Sequence, residues 1–302
     1  MLFFALYNSL FKYKESPVKD YTQPIPQDVD GRMGPHYETL LKATAESIEK
    51  LNCMVPEMHT IKTKEGFKLV GRLFKAENKT DNVVMLLHGY NSKGMKDNAI
   101  KAIGYLNRGF NVLLVDNRAC GDSEGRYQTC GAKESLDDLI WIDKLVRMFP
   151  NGDIIIDGCS MGAATACLIS KNNLPKNVKM IVSDCAYMNF GYVFKELIHR
   201  YVKVGANILY AGISFWCTIM NGGSFKKHSP LKAVENSTVP MIFIHGKEDR
   251  YIPYESAEEL YNNCAFKQKE LVFVEKAGHV ASCEKNPDKY FGSVLDFYNK
   301  IK

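Results

Sequence analysis

Short, continuous apolar runs recur along the chain after residue 80, and segments with helical spacing separate them. Six such runs are NVVMLL, NVLLVD, DIIID, VKMIVSD, MIFI and LVFVE. Runs of this kind are typical of parallel strands that are buried on both faces. Helices are predicted between them, at residues 95–107, 133–148, 161–171, 254–264 and 288–301. The alternation predicts an α/β fold with a doubly wound, mostly parallel sheet and helices on both of its faces.

The chain before this alternation has a different pattern. The segments MHTIKT and FKLVGRLFKA flank Lys64-Glu65-Gly66, which predicts an antiparallel β-hairpin at one edge of the sheet. Further upstream, helical spacing predicts a helix from about residue 37 to 51, and four prolines predict an extended arm over 15–35. We therefore divide the chain into an N-terminal helical and extended extension, 1–57, and a main domain, 58–302.

One long stretch interrupts the alternation of strands and helices. Residues of about 186–236 are mostly apolar and aromatic, and their length accommodates a few helices. Because ligands of α/β sheets bind outside the carboxyl ends of the strands, a helical insertion that leaves from such an end would cover the site as a lid. We expect its aromatic residues Phe215 and Trp216, with Tyr90, to line an apolar substrate pocket. The alternative is that they only pack the lid on itself.

Composition excludes several classes of function. The 39 basic and 34 acidic residues are spread along the chain, without the basic stripe or tail that a nucleic-acid partner would need. Nine cysteines, an odd number without a CxxC pair, indicate reduced thiols and a cytoplasmic location. Clustered Cys and His ligands are missing, so we expect no metal and no cofactor. The oligomeric state is left open.

The first residues, MLFFALYNSLFKYK, are apolar for about eleven residues, too few to span a bilayer. Apolar positions at helical spacing predict a short helix that docks on the domain. Attachment of this helix to a membrane surface is the less favoured alternative.

A serine between two glycines is the strongest chemical signal in the sequence. DIIID, then Gly158-Cys159-Ser160-Met161-Gly162, then AATACLIS predict a strand, a sharp turn and a helix. A nucleophile elbow has this context, because the strained turn holds the serine hydroxyl clear of the sheet. The two glycines are needed where the strand and helix backbones approach each other. Ser160 is thus predicted to be a nucleophile.

A nucleophilic serine needs a base to accept its proton and an acid to orient that base. MIFIHGKEDRYIP places Asp249 after one buried strand, and LVFVEKAGHVASC places His279 after the next. Both lie at carboxyl ends of strands, where their side chains can converge on Ser160. Asp184, which also ends a strand, is the second candidate for the acid.

An oxyanion hole would complete this site. The segment MLLHGYNS ends a buried strand, and we assign the backbone N–H groups of Tyr90 and Met161 as the two donors. The loop DNRACGDSEG, from Asp116 to Gly125, is predicted to brace the elbow. We expect Arg118 in that loop to pair with Asp122 or Glu124 rather than with a substrate carboxylate.

Together these residues resemble the α/β-hydrolase superfamily, in particular bacterial serine esterases, over residues 58 to 302. The resemblance rests on HGY, DNRACGDSEG, GCSMG, IHGKEDRYIP and AGH in that order. It implies Ser160 as nucleophile, Asp249 as acid and His279 as base, with Tyr90 and Met161 as oxyanion donors. The N-terminal 50 or so residues have no counterpart in the minimal fold.

The sequence therefore predicts a serine hydrolase whose partner is a small-molecule ester with an apolar or aromatic acyl group. A thioesterase or acyltransferase with the same three residues is the alternative within this superfamily. A non-catalytic ligand-binding protein on the hydrolase fold is the alternative from another class, and the intact Ser, Asp and His in order argue against it.

Overall fold

One eight-stranded sheet forms the centre of the computed structural model, which describes residues 2–12, 31, 33–34 and 36–302 of the chain. The strands are β1 (Glu57–Lys62), β2 (Lys68–Phe74), β3 (Val83–Leu87), β4 (Asn111–Val115), β5 (Ile154–Cys159), β6 (Val178–Asp184), β7 (Met241–Gly246) and β8 (Lys269–Val274). Their order across the sheet is β1-β2-β4-β3-β5-β6-β7-β8. β1 pairs with β2 and β2 with β4 in antiparallel register, and all other pairs are parallel. The predicted fold class, including the antiparallel hairpin at the edge, is confirmed.

Helices connect the strands and cover the sheet. They are α1 (Leu2–Phe11), α2 (Tyr37–Asn52), α3 (Gly94–Leu106), α4 (Glu134–Met148), α5 (Met161–Ile169), α6 (Phe190–Tyr201), α7 (Ala206–Asn221), α8 (Pro230–Val234), α9 (Glu255–Asn263), α10 (Ser282–Lys285) and α11 (Pro287–Ile301). Each predicted helix is present, with ends within two residues of the prediction. The arm predicted over 15–35 lies almost entirely outside the described residues.

The apolar runs are continuous because both faces of the central strands are buried. In β3, alternate residues belong to two different cores: Val83, Met85 and Leu87 pack with α4 and α5, whereas Val84 and Leu86 pack with α3 and α11. Successive residues of these strands point to opposite faces of the sheet, and because both faces are buried, residues on both need to be apolar. The edge strand β8 departs from the prediction, because most of its side chains are only half-buried.

The insertion is helical, as expected, and the N-terminal helix completes its core. α1 supplies Tyr7 and Phe11, which are buried with Phe194 of α6 and with Ile213 and Cys217 of α7. The predicted short helix therefore docks on the insertion rather than on the sheet. None of the described helices combines the length and the apolar character that crossing a bilayer would require.

The predicted pairing of Arg118 with Asp122 or Glu124 is wrong. Its guanidinium is buried and forms a bidentate pair with Asp137 at the start of α4, with N–O distances of 2.7 and 2.8 Å. Asp122 pairs with Arg72 instead. The loop folds back so that the Glu124 carbonyl accepts the Ala119 N–H, but the Glu124 carboxylate accepts the N–H of Lys68 on β2 instead of pairing with the arginine.

Candidate active site

Ser160 occupies a strained turn between β5 and α5. Its φ and ψ are 53° and −117°, in a region that side chains other than glycine rarely adopt. A Cβ on Gly158 would overlap the backbone of Gly162, and one on Gly162 would overlap the carbonyl of Leu87. Both glycines are therefore required by close backbone approach, and the turn points the serine side chain out of the sheet.

The side chains of Ser160, His279 and Asp249 form one hydrogen-bonded chain. Nε2 of His279 lies 3.0 Å from Oγ of Ser160, and Nδ1 lies 2.7 Å from Oδ2 of Asp249. Asp249 follows β7 and His279 follows β8, so parallel strands deliver both side chains to the edge of the sheet where β5 ends. All three are buried. The structure thus brings together the three residues that the sequence analysis selected.

Asp249 is held as a carboxylate by four donors. Its Oδ1 accepts hydrogen bonds from the backbone N–H groups of Tyr251 (2.8 Å) and Ile252 (2.9 Å). Its Oδ2 accepts from His279 and from Nε2 of His245, 3.1 Å away. His245 lies at the end of β7, four residues before Asp249, a position that indicates a packing or hydrogen-bonding residue near the site, and the structure shows its hydrogen bond to the acid.

Charge and burial act in opposite directions on the acid and the base. Burial alone would raise the pKa of Asp249, but the charge of His279 and the hydrogen bonds from His245 and His279 hold it well below its ordinary value. Burial alone would lower the pKa of His279, but the Asp249 carboxylate outweighs that effect and the pKa lies above 6.5. The pair is therefore suited to accept and keep a proton on His279.

Asp184, the second candidate for the acid, faces a different partner. Its Oδ2 lies 3.0 Å from the ammonium of Lys101, which also lies 2.8 Å from Oδ1 of Asp157. Hydroxyls of Tyr105 and Tyr290 donate to Asp157 at 2.7 and 3.0 Å. The contribution of Asp184 to the elbow is its carbonyl oxygen, which accepts the N–H of Ser160 at 2.9 Å.

This buried ion cluster lies directly beneath the elbow. Lys101, Asp157 and Asp184 are each 2% exposed or less, so the ammonium is separated from water; the two carboxylates compensate its charge, and the centroid of the Tyr290 ring lies 5.0 Å from it. Burial would lower the pKa of Lys101, but the two carboxylates raise it well above 10.5. The sequence offered no sign of the cluster, because a single lysine on a helix ordinarily reaches solvent.

The HGY loop passes beside Ser160. A Cβ on Gly89 would lie 3.4 Å from Cβ of Ser160, and the Gly89 N–H donates to Oδ2 of Asp97 at 2.8 Å. The N–H groups of Tyr90 and Met161 donate to no other residue in the described part of the chain. Both groups therefore remain candidates for the oxyanion donors that the sequence predicts.

A cleft of about 250 Å³ opens over Ser160 and His279. One wall comes from the N-terminal extension: Tyr37, Leu40, Leu41 and Thr44 of α2 line it. The extension also supports the histidine loop, because the His279 N–H donates to the carbonyl of Met33 at 2.9 Å. The N-terminal residues, which lack a counterpart in the minimal fold, are therefore part of the site.

A second cavity, of about 310 Å³, lies between α6 and the loop that carries Asp249. Tyr251 lines both cavities, and its ring stacks on the imidazole of His279 with centroids 5.0 Å apart. The second cavity also has Arg200 and Arg250 in its wall. Tyr251 thus forms the partition between the two spaces beside the base.

Tyr90 lines the cleft as predicted, but Phe215 and Trp216 do not. Phe215 is 61% exposed on the outer face of α7, and Trp216 packs on Phe4 of α1 with ring centroids 4.6 Å apart. The prediction that these two residues line the pocket is therefore wrong. Their positions around the axis of α7 direct Phe215 to solvent and Trp216 to the N-terminal helix. Residues of α2 take their place.

Cys185, Asp249 and His279 form a group of three potential metal ligands, with ligand atoms within 4.8 Å of one another. Two of these ligands already bind each other through the bond between Asp249 and His279. Burial raises the pKa of the Cys185 thiol well above 9.0, which keeps it protonated and a poor ligand. The chemistry of this group fits a hydrogen-bonded pair better than a metal centre.

Comparison with known proteins gives one family model and several relatives. The model of the alpha/beta hydrolase fold matches residues 82–204. The Bacillus subtilis protein YqkD is 28% identical over 259 residues, which cover 85% of this chain and 81% of that protein. The Escherichia coli K12 protein YfhR is 21% identical over 242 residues, 78% of this chain and 77% of that protein.

Among solved structures, the esterase Pf2001 of Pyrococcus furiosus is similar, with 25% identity and a TM-score of 0.67. The similarity covers 83% of this chain and 95% of the esterase. The likeness therefore extends over most of this chain and nearly all of the esterase.

Proposed function

This chain belongs to the α/β-hydrolase superfamily, and on that premise we propose that it is a serine hydrolase that cleaves carboxylic esters through an acyl-enzyme intermediate. Ester hydrolysis is supported by the similarity to an esterase over nearly its whole length. The single observation that carries the proposed mechanism is the chain of hydrogen bonds Ser160–His279–Asp249, at 3.0 and 2.7 Å.

In the first half-reaction, Oγ of Ser160 attacks the ester carbonyl carbon while Nε2 of His279 takes the hydroxyl proton. The C–O π bond opens and its electron pair becomes the oxyanion. The N–H groups of Tyr90 and Met161 would stabilise this oxygen, and one such donor is typically worth about 10²–10³ in rate. The protonated His279 then gives its proton to the alkoxide, and the alcohol leaves.

In the second half-reaction, water repeats the sequence on the acyl-enzyme. His279 removes a proton from water, the hydroxide adds to the acyl carbon, and Ser160 leaves with the proton returned by His279. Asp249 keeps its negative charge throughout, because its low pKa favours stabilisation of the imidazolium over transfer of the proton. The carboxylic acid is the second product.

The shape of the cleft supports an apolar acyl group of modest size. Leu40, Leu41 and Tyr37 form an apolar wall from α2 for such a group, while polar residues, which include Asn91, Ser92, Lys96 and Asp97, line another part of the cleft. Thioesters and acyl transfer to an acceptor other than water would use the same three residues, and they remain the alternative chemistries.

Two further expectations remain proposals. We assign the main domain to 58–302, with a lid of about 186–236, although α2 of the extension lines the cleft. A cytoplasmic location is supported by nine free cysteines, eight of which are buried.

The test is hydrolysis of short-chain p-nitrophenyl esters by the purified chain. We expect turnover and covalent labelling of Ser160 by a fluorophosphonate probe. Ser160→Ala should abolish labelling and lower kcat/KM by more than about 10⁴. The matched control is Ser224→Ala, an exposed serine, with unchanged activity.

Unchanged turnover in Ser160→Ala, or labelling of another serine alone, would refute the assignment. A folded chain that binds esters without turning them over would favour the non-catalytic binding protein. Faster turnover of matched thioesters would favour the thioesterase.

A further inference from the structure

Two helices without a single charged residue pack against each other at the surface. α1, LFFALYNSLF, and α7, ANILYAGISFWCTIMN, contain no Asp, Glu, Lys or Arg. Gly212 permits their close contact, because a Cβ there would overlap the ring of Phe3. Phe4 and Trp216 form a second contact. The two helices therefore act as one apolar layer, which we call the α1–α7 layer.

The outer side of the α1–α7 layer is apolar as well. Ile208, Phe215 and Ile219, which are 70%, 61% and 52% exposed, recur at spacings of seven and four and so share one face of α7. Leu2 of α1 is 70% exposed as well.

Exposed apolar side chains are frequent on these two helices. Of the twelve large ones in the described part of the chain, five belong to α1 or α7, and three more belong to α6 or to the link between α6 and α7. Single exposed apolar residues are normal, but such a concentration indicates a surface that meets an apolar phase or a partner.

Basic residues lie at both ends of this apolar face. Between 186 and 236 the chain has six Lys or Arg against two Asp or Glu, although the whole chain is nearly balanced at 39 against 34. Lys203 is exposed just before α7, and the ammonium of Lys227 lies at the end of α7, 3.0 Å from the carbonyl of Gly222. The charges therefore flank the charge-free helix at both ends.

We propose that the α1–α7 layer binds the surface of an anionic phospholipid bilayer, with Ile208, Phe215 and Ile219 inserted into the interface. An apolar face that is flanked by basic residues is the pattern of helices that lie in the headgroup region. A second copy of the chain fits less well, because a symmetric contact through this face would bring the same basic residues together. The proposal goes beyond ester hydrolysis and does not rest on it.

The test is flotation of the full chain with phosphatidylcholine vesicles that contain or lack phosphatidylglycerol. Ser160→Ala is used beside the unmodified chain, so that hydrolysis of lipid does not affect the result. We expect binding to the anionic vesicles that weakens with added salt. Phe215→Glu and Ile208→Glu should each reduce the bound fraction by about tenfold or more, because each replaces an apolar side chain that the bilayer would bury with a negative charge.

Val55→Glu is the matched apolar control, because Val55 is 96% exposed in the link between α2 and β1. It should bind like the unmodified chain. Lys203→Glu should weaken binding to anionic vesicles, whereas Lys62→Glu on β1 should not. Circular dichroism verifies that every variant is folded.

Absence of binding to anionic vesicles would overturn the proposal, and so would equal losses in Val55→Glu and Phe215→Glu. Self-association that Phe215→Glu abolishes, without vesicle binding, would identify a second copy as the occupant instead. Absence of esterase activity in the unmodified chain would refute the proposed function and leave the vesicle result unaffected.

Discussion

His245 and His279 donate to the same carboxylate oxygen of Asp249. Nδ1 of His279 lies 2.7 Å from Oδ2, and Nε2 of His245 lies 3.1 Å from it and 3.0 Å from the carbonyl of Ile252. Because both neighbours of His245 Nε2 are acceptors, this nitrogen carries the hydrogen. Nδ1 of His279 likewise donates, which leaves its Nε2 free to accept the Ser160 proton.

His245 is therefore expected to be a positioning residue for the acid. His245→Leu removes one donor to a buried carboxylate and should lower the free energy of unfolding by about 1.5–3 kcal/mol. It should lower kcat/KM about tenfold, since the other three donors still hold Asp249. Urea unfolding and p-nitrophenyl ester kinetics measure the two effects. His199→Leu, at an exposed histidine of α6, is the control, and a His245→Leu loss as large as that of Asp249→Asn would contradict the role.

The identity of the acid is tested by a matched pair of substitutions. Asp249→Asn should lower kcat/KM about 10⁴-fold, because the amide no longer stabilises the imidazolium or its tautomer. Asp184→Asn should leave kcat/KM within about tenfold, because its side chain faces Lys101 rather than His279. Steady-state kinetics of both folded variants decide the question, and the reverse order would transfer the role to Asp184.

The pH dependence follows from the raised pKa of His279. The base acts only when neutral, so kcat/KM should rise with pH through a pKa above the ordinary histidine value of 6.5. In Asp249→Asn the carboxylate charge that favours the imidazolium is gone, so the residual activity should rise through a lower pKa. A pH–rate profile of both proteins measures this shift, and an unchanged midpoint in Asp249→Asn would contradict the cause that we assign.

Local sequence patterns are sufficient to predict the sheet and the nucleophile. β3 and β5 were predicted because burial on both faces demands an uninterrupted apolar run, and Ser160 because its turn demands two glycines. His279 was selected only by its order after Ser160 and Asp249. The strands and the elbow are features that neighbouring residues determine, whereas the assignment of His279 depends on the order of residues along the chain.

Features that depend on distant contacts were not predicted. The wall that Leu40 forms over Ser160 is a tertiary contact without a local sign. The burial of Lys101 has no local sign, because a lysine on a helix is ordinarily predicted to be exposed to solvent. Only the tertiary fold brings the carboxylates of Asp157 and Asp184, on two strands, to its ammonium. Phe215 and Trp216 were misplaced because composition does not determine which face of a helix meets the cleft.

Tyr7 offers a prediction about the core between α1 and the insertion. Its ring is fully buried, and its hydroxyl has no hydrogen-bond partner among the described residues. Tyr7→Phe should therefore raise the free energy of unfolding, by about 1 kcal/mol, because a buried unpaired hydroxyl is removed. Tyr7→Ala should lower it by about 3–5 kcal/mol, because a large cavity is left. Thermal or urea unfolding measures both, and a destabilised Tyr7→Phe would show that the hydroxyl is paired in solution.

The buried ammonium of Lys101 should be essential for the stability of the elbow. Lys101→Met leaves the carboxylates of Asp157 and Asp184 buried without their cation, which should cost about 3–5 kcal/mol. Burial already raises the pKa of Asp157, and the loss of Lys101 should raise it further. Because the pKa of Asp157 in the folded state lies above its unfolded value of 3.8, stability is lost as pH rises through the folded-state pKa. The destabilisation caused by Lys101→Met should therefore be larger at neutral than at acidic pH. Urea unfolding at both pH values measures this difference.

Two variants separate this effect from simple loss of packing around Lys101. Lys101→Met combined with Asp157→Asn and Asp184→Asn should recover most of the stability at neutral pH, since no unpaired charge remains. Lys176→Met, at an exposed lysine, should change stability by less than about 0.5 kcal/mol. If Lys101→Met were equally destabilised at both pH values and not rescued by the asparagines, packing rather than charge would be the role of Lys101. Charge compensation predicts both the pH dependence and the rescue, because each acts by removing the negative charge that the ammonium neutralises beneath Ser160.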